Sequence, residues 1–236
     1  RCRPEFVHGI LEDLEWLGLA HDGEVLVQSE RTSLYGEALA RLRETGLVYA
    51  CFCTRAEIAQ SLTAPHGVAG SQYPGTCRPL PDDPERRAST PHCCRLDSAR
   101  ALELAGLPTW TEADGTRFAS KPGDFGDAVL ARKDAPSSYH LACVVDDAAS
   151  GVNLVVRGDD LRPSTPTQRL LQLLLDLPEP AYLHHPLVTH EDGRRLAKRD
   201  RAPTLEALRE GGVDGPTLAA ELFEGRLPLG FKLSHA

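Results

Sequence analysis

Apolar residues recur at helical spacing twice in the first fifty residues. The first run predicts a helix that ends at Gly18, and the second predicts a helix that is capped by Ser29 and closed by Gly46. The apolar positions of the two runs are Phe6, Ile10, Leu14, Leu17, Leu34, Ala38, Leu39 and Leu42. The short apolar run 25–27 between them predicts a strand.

Short apolar runs without helical spacing dominate the chain from residue 128 onward. Three of them, at 129–132, 142–145 and 153–156, predict buried strands. Pro166 then opens a predicted helix that runs from Gln168 to Leu175. Because strands alternate with helices, the pattern predicts an α/β fold with a parallel sheet. The middle third, which is rich in Gly and Pro, is predicted to be an insertion between two parts of that sheet.

Composition narrows the class of protein. The chain has 236 residues and is 41% hydrophobic, so it can bury a sizeable core. No apolar run approaches the roughly 20 residues of a membrane span, and the first residues do not resemble a signal peptide. These features predict a cytoplasmic protein, expected to be a monomer, with no membrane partner. The sequence contains no Met, so we expect it to start inside a longer gene product.

Three cysteines form the first candidate site. Cys51 and Cys53 are one residue apart, and Cys77 follows in a loop rich in Gly and Pro. Three thiolates with a fourth N or O donor match a closed tetrahedral zinc site, although buried thiols without a metal are an equal alternative. Spacing leaves the fourth ligand open among Tyr73, His66, His92, Cys93 and Cys94. Cys93, Cys94 and Cys143 lie in apolar, strand-like runs, where a place in the core is the stronger reading.

A basic segment forms the second candidate site. Four of the eight residues 193–200 are Arg or Lys, although the chain has a formal net charge of −8. Concentrated positive charge after a glycine turn indicates a local site for an anion such as phosphate. The alternative is an ordinary solvated turn.

Six segments occur in the order found in class I glutamyl-tRNA synthetases, and the chain resembles that family over about residues 1–205. The segments are Tyr139–Ala142, Val145–Asp147, Val156–Leu161, Ser164–Gln168, His185–Val188 and Arg195–Arg199. The last resembles the second signature loop of the family, usually written K-M-S-K-S or K-L-S-K, with Arg195 at the first Lys, Ala197 at the Ser and Lys198 at the second Lys. The resemblance implies a Rossmann-like catalytic domain.

Within this family the chain is most similar to the short glutamyl-Q tRNA(Asp) synthetases. Cys51, Cys53, Tyr73 and Cys77 resemble the zinc ligands of that group, and only 36 residues follow Asp200. The resemblance therefore implies one structural Zn²⁺ with Tyr73 as the fourth ligand. It also implies an inserted zinc-binding subdomain at 50–127, between catalytic parts at 1–49 and 128–236.

The resemblance also implies a reaction. L-glutamate is activated by ATP, with Mg²⁺, to glutamyl-adenylate, and the glutamyl group then passes to queuosine at the wobble position of tRNA(Asp). Lys198 would be catalytic and would bind ATP together with Arg195, while Tyr139 and Arg157 would bind glutamate. From the residues alone, an ion pair of Arg157 with Asp159 or Asp160 is an equal alternative.

The first class I signature, H-I-G-H, does not occur in this sequence. We therefore expect the part of the enzyme that carries it to lie outside this chain, and this chain alone to be inactive. The competing interpretations are a truncated discriminating glutamyl-tRNA synthetase and a non-catalytic zinc module that binds RNA or protein.

Overall fold

The computed structural model describes residues 3–54, 56–58, 73–194, 204–228 and 231–234. The described helices are α1 (Pro4–Trp16), α2 (Thr32–Glu44), α3 (Pro84–Ser89), α4 (Ser98–Ala105), α5 (Tyr139–Ala149), α6 (Thr165–Leu174), α7 (Leu205–Glu210) and α8 (Gly215–Phe223). The described strands are β1 (Val48–Cys51), β2 (Cys93–Leu96), β3 (Thr109–Thr111), β4 (Arg117–Ala119), β5 (Val129–Ala131), β6 (Leu154–Gly158), β7 (Ala181–His185), β8 (Leu187–His190) and β9 (Phe231–Ser234). The chain divides into two compact units, one of Val27–His185 and one of Arg1–Leu26 with Pro186–Ala236.

The core of the 27–185 unit lies between an antiparallel sheet and several helices. The sheet has the order β1-β2-β5. Helix α2 buries Tyr35, Ala38, Leu39 and Leu42, the last three of which are positions predicted from the helical spacing. Removing their apolar surface from water supplies the main stabilisation of this core.

A parallel pair of strands lies in the same unit. Strands β6 and β7 run parallel, in a register that places Arg157 opposite His184. Helix α6 connects them and is buried along most of its length, as expected for a crossover between parallel strands. Parallel pairing is thus confirmed for 154–158, whereas the other ladders among the described residues are antiparallel.

Three local predictions are wrong. Residues 142–145 belong to helix α5, because Ser138 caps the helix by accepting a hydrogen bond from the amide of Leu141 and the core takes up one helical face. A short apolar run does not distinguish a strand from a buried helix by itself. Residues 25–27 form no strand and their side chains are exposed. Ser29 lies in a short 3₁₀ helix, and α2 begins after Arg31.

The unit of Arg1–Leu26 and Pro186–Ala236 contains α1, α7 and α8 and the antiparallel pair β8-β9. Helix α8 begins against the end of α1, where a Cβ added to Gly215 would lie 1.9 Å from the carbonyl oxygen of Trp16. Only glycine fits at that position. Arg209 of α7 pairs with Glu12 and Asp13 of α1.

A partly buried carboxylate connects α2 with α5 in the 27–185 unit. Asp146 accepts hydrogen bonds from Gln28 (2.8 Å), Arg31 (2.8 Å) and Tyr35 (2.7 Å). Burial opposes ionisation of Asp146, but the three donors outweigh it and lower the pKa of this carboxyl. The folded state therefore gains stability from ionised Asp146.

Replacing Asp146 with asparagine is expected to lower the free energy of unfolding by about 1–3 kcal/mol at pH 7. Because the pKa is lower in the folded state, this contribution is complete above the unfolded value of about 3.9 and disappears as the pH falls through the folded value. Urea denaturation at pH 7 and at progressively lower pH measures both effects. Asp147→Asn is the matched control, since burial raises the pKa of that neighbouring carboxyl; equal losses in the two variants would contradict the assignment.

None of the helices in the described part of the chain is long and apolar enough to cross a membrane.

Candidate functional site

Arg157 lies near the carboxyl end of β6, and its side chain is largely buried. All three of its nitrogens donate to neutral groups. Nε donates to Nε2 of His184 (3.1 Å), Nη1 to the amide oxygen of Gln168 (2.5 Å) and Nη2 to the hydroxyl of Thr165 (2.7 Å). The guanidinium also lies over the ring of Tyr182, 5.2 Å from its centroid. The side chain is therefore held in one orientation by four neighbours.

This guanidinium has N–H donors beyond those that bind its described partners. A guanidinium has five N–H bonds, and the three partners among the described residues leave two of them, one on each Nη atom. Among the described residues, no carboxylate hydrogen bonds to Arg157, and Asp159 instead accepts from Arg162 (2.7 Å). The sequence left open an ion pair of Arg157 with Asp159 or Asp160. The contacts of Arg157 with described residues do not include such a pair. A buried cation with neutral partners is costly, which favours binding of an anion here.

The charge of Arg157 changes the pKa of two groups on α5. Burial lowers the pKa of His140, and Arg157 lowers it further. Burial raises the pKa of Asp147. The positive charge of Arg157 lowers this pKa in part, and the negative charge of Asp146 raises it further. The positive charge of Arg157 therefore reaches both groups on α5, although burial has the larger effect on each.

Tyr139 lies at the start of α5, and its side chain is 51% exposed. It lines a cavity of about 480 Å³ together with Gln28, Tyr35 and Ser137. One turn further along α5, Cys143 accepts a hydrogen bond from Gln168 (3.1 Å), which in turn holds Arg157. One face of α5 thus runs from the cavity toward the arginine.

The cysteine cluster predicted from the sequence is assembled in the fold. The Sγ atoms of Cys51, Cys53 and Cys77 lie within 4.8 Å of one another, an arrangement that can hold a metal ion. The phenol oxygen of Tyr73 is 3.3 Å from Sγ of Cys51 and 3.7 Å from Sγ of Cys53, and it accepts a hydrogen bond from the amide of Cys77 (2.8 Å). The six cysteines in the described residues are free thiols.

These distances fit a tetrahedral metal site. With Zn–S bonds of about 2.3 Å and a Zn–O bond of about 2.0 Å, tetrahedral angles require S···S edges of about 3.8 Å and S···O edges of about 3.5 Å. The sulfurs of Cys53 and Cys77 are 3.4 Å apart, and both sulfur–oxygen distances lie close to the required edge. The donor set is therefore the right size for Zn²⁺ after small adjustments.

Protonation within the cluster is uneven, because the pKa of Cys51 is lowered whereas the pKa values of Cys53 and Tyr73 are raised. The neighbouring Cys93, together with Tyr73 and Arg95, holds the pKa of Cys51 far below its usual range despite burial. Burial and the adjacent thiols raise the pKa of Tyr73, so its phenol loses the proton only when a cation replaces it. The guanidinium of Arg95 covers the Tyr73 ring at 3.9 Å.

The other candidates for the fourth ligand have different partners. Sγ of Cys94 accepts from Arg43 (2.9 Å), Sγ of Cys93 donates to the carbonyl of Cys51 (3.5 Å), and Nδ1 of His92 lies 3.1 Å from the carbonyl oxygen of Thr90. Cys93 and Cys94 are buried in β2, as their apolar surroundings predict, whereas Cys143 lies in helix α5 rather than a strand. His66 lies outside the described residues.

Of the basic segment 193–200, the structure describes Gly193 and Arg194. Gly193 adopts a positive φ of 86°, which agrees with the predicted glycine turn. Arg195 and Lys198, the predicted ATP ligands, lie outside the residues that the structure describes.

Sequence reasoning missed the groups that surround Arg157. Thr165 and Gln168 occur in the segment that carries the family resemblance, but no role was assigned to them. Glu112, which contacts His184, was not singled out either. Polar residues at buried positions of an apolar helix, such as Gln168, were the available signal.

Comparisons with known proteins bear on the chain as a whole rather than on single side chains. The sequence profile of the class I tRNA synthetases for glutamate and glutamine, catalytic domain, matches residues 1–223. The glutamyl-Q tRNA(Asp) synthetase of Nocardia farcinica is 50% identical over 214 residues, which cover 90% of this chain and 66% of the relative. The protein of the same name from Rhodobacter capsulatus is 41% identical over 226 residues, which cover 90% of this chain and 80% of the relative.

A solved structure supports the fold. The crystal structure of a glutamate tRNA ligase from Elizabethkingia meningosepticum in complex with its amino acid is 25% identical, with a TM-score of 0.68 over 85% of this chain and 43% of that one. The chain thus spans slightly less than two thirds of the Nocardia relative and less than half of this ligase.

Proposed function

This chain belongs to the family of class I tRNA synthetase catalytic domains for glutamate and glutamine, and on that premise we propose that it is the glutamate-binding part of a glutamyl-Q tRNA(Asp) synthetase. The enzyme activates L-glutamate with ATP and Mg²⁺ and transfers the glutamyl group to queuosine at the wobble position of tRNA(Asp). Relatives of that name, at 50% and 41% identity, support the choice of acceptor. Action as a cytoplasmic monomer stays a prediction from the sequence.

The observation that carries this proposal is the buried guanidinium of Arg157. Its two remaining N–H bonds and its neutral hydrogen-bond partners suit a bidentate contact with a carboxylate of glutamate. Tyr139, beside the cavity of about 480 Å³, supplies a hydroxyl for the same substrate. The protein's contribution to adenylate formation is then mainly to hold the amino acid in position.

Activation joins a carboxylate oxygen of glutamate to the α-phosphorus of ATP and releases pyrophosphate. Negative charge develops on the departing group, and in this proposal Lys198 stabilises it while Arg195 helps to bind ATP. Resemblance of 195–199 to the second class I signature supports these two roles.

We assign one structural zinc ion to Cys51, Cys53, Tyr73 and Cys77, within a zinc-binding subdomain at 50–127 that interrupts catalytic parts at 1–49 and 128–236. The distances among the thiol and phenol groups support this ligand set. When bound, zinc supplies cross-links between the strand end at Cys51 and the loop at 73–77, and it takes no part in the reaction.

The test uses the full-length protein that carries this chain. We expect glutamate-dependent ATP–pyrophosphate exchange without tRNA, followed by transfer of labelled glutamate to tRNA(Asp) only when the tRNA carries queuosine. Transfer that ignores queuosine would identify a discriminating glutamyl-tRNA synthetase instead. Absence of any adenylate would leave a non-catalytic zinc module as the better account.

A further inference from the structure

A chain of buried polar contacts runs from Nε of Arg157 through His184 to Glu112. Nε of Arg157 donates to Nε2 of His184, and Nδ1 of His184 lies 2.8 Å from a carboxylate oxygen of Glu112. The imidazole of His184 is fully buried, and the carboxylate of Glu112 is 10% exposed. The two residues are 72 positions apart in sequence, so the contact exists only in the folded chain.

The direction of these hydrogen bonds follows from the donors. The guanidinium N–H can only donate, so Nε2 of His184 must present its lone pair. The ring proton then resides on Nδ1 and is donated to Glu112. Burial lowers the pKa of His184, and the charges of Arg157 and Arg162 lower it further against the opposing effect of Glu112, which agrees with a neutral ring.

Glu112 is itself fixed by further donors. The same oxygen accepts from Nε1 of Trp110 (3.2 Å) and from Nη1 of Arg162 (3.1 Å). The backbone is anchored as well, because Ala113 donates to the carbonyl of Tyr182 (2.7 Å), beside His184 on β7. A held carboxylate orients the imidazole, as carboxylates orient histidines in metal sites.

We propose that Glu112 and His184 are positioning residues that set the plane of the Arg157 guanidinium for the carboxylate of the amino-acid substrate. The inference rests on the proposed function, since it takes Arg157 as the glutamate-binding group. A bidentate contact requires both Nη atoms to face the carboxylate in one plane, and His184 and Glu112 restrain rotation of that plane. Neither residue touches the substrate.

His184→Phe tests the contact by keeping the ring size and removing both nitrogens. We expect the KM for glutamate in ATP–pyrophosphate exchange to rise about 10- to 100-fold, the effect of a misplaced contact group, while the KM for ATP stays unchanged. His184→Gln places an amide oxygen near the position of Nε2 and is expected to recover most of the loss. Equal defects in the two variants would overturn the proposal.

Glu112→Gln removes the charge that holds the imidazole, and its matched control is Glu179→Gln. Glu179 also accepts from a buried arginine, Arg169 (2.6 Å), and the described contacts of Arg157 do not include it. We expect Glu112→Gln to raise the KM for glutamate and Glu179→Gln to leave it unchanged, with melting temperatures recorded for both. A rise of equal size in the two variants would indicate a general structural effect and contradict the proposal.

A spectroscopic measurement does not depend on activity. Nitrogen-15 NMR of the wild-type imidazole of His184 should show a protonated Nδ1 and an unprotonated Nε2. A protonated Nε2 cannot accept from Arg157, and that result would overturn the inference directly.

Arg157→Gln in the same exchange assay distinguishes failure of the proposed glutamate site from failure of the positioning role of His184 and Glu112. If this variant keeps the normal KM for glutamate, Arg157 is not the glutamate-binding group, and both the proposed site and the positioning role fall. If the KM for glutamate rises in Arg157→Gln, while His184→Phe and Glu112→Gln behave like Glu179→Gln, only the positioning role is wrong.

Discussion

Arg157→Gln is expected to lower kcat/KM for glutamate by about 30- to 5,000-fold in ATP–pyrophosphate exchange. Loss of one partner of a buried, charge-assisted pair costs about 2–5 kcal/mol, and each 1.4 kcal/mol is a factor of about ten. The effect should appear mainly in the KM for glutamate if Arg157 binds the carboxylate equally in the ground and transition states. Steady-state kinetics with varied glutamate and saturating ATP measures it.

Two further variants make this result specific. Arg157→Lys keeps the positive charge but loses the planar fork, so we expect an intermediate defect. Arg132→Gln removes an exposed arginine whose ion-pair partner in the described part of the chain is the exposed Asp134, and it should leave the kinetics unchanged. Removing a buried cation that has neutral partners should not unfold the chain, which thermal melting of Arg157→Gln will show. An unaltered KM for glutamate in this variant would refute the assignment of the site.

The wild-type protein is expected to bind zinc in a one-to-one ratio, and Cys51→Ser and Cys77→Ser are each expected to lose this ion. The four donors are spaced like the corners of one tetrahedron, and a serine hydroxyl is a poor substitute for a thiolate. Elemental analysis of purified protein gives the metal content directly. Tyr73→Phe should weaken zinc binding while retaining the three thiolates.

Cys94→Ser is the matched control, because this buried thiol lies on β2 next to the cluster and accepts from Arg43 instead. It should retain a full equivalent of zinc. Retention of zinc in both Cys51→Ser and Cys77→Ser would exclude the proposed ligands.

Zinc should also stabilise the fold. At a free concentration about 1,000 times its Kd, a ligand bound only by the folded state contributes about 4 kcal/mol. For a chain of this length, each kcal/mol corresponds to about 2–4 °C, so a chelator should lower the Tm by roughly 8–16 °C and added zinc should restore it. No change in Tm on chelation would show that the cluster is a set of buried thiols without a metal.

Local sequence patterns predicted those parts of the structure in which neighbours along the chain settle the outcome. The spacing of Ala38, Leu39 and Leu42 identified helix α2, because its buried stripe repeats with the helical period. Cys51, Cys53 and Cys77 were recognised as a group because few residue types offer thiolate ligands. Arg157 was singled out because it follows an apolar run in a segment typical of the family.

Patterns failed where packing against distant residues decided between alternatives. Residues 142–145 are equally compatible with a buried strand and a buried helix, and the core beside α2 and α6 selected the helix. The apolar run 25–27 has no strand partner in the described part of the chain, and strand propensity without pairing does not make a strand.

By itself, then, the sequence determined which residue types carry chemistry, which family the chain resembles and where several of the helices and strands lie, because these depend on composition and short-range spacing. Only the tertiary structure decided which residues form the hydrogen-bonded chain that begins at Nε of Arg157. The parallel register of β6 and β7 places His184 opposite it, and the backbone contact of Ala113 with Tyr182 brings Glu112 to the imidazole. Such contacts join residues far apart in sequence, and the hydrogen-bond requirements of buried polar groups select them only once the chain is folded.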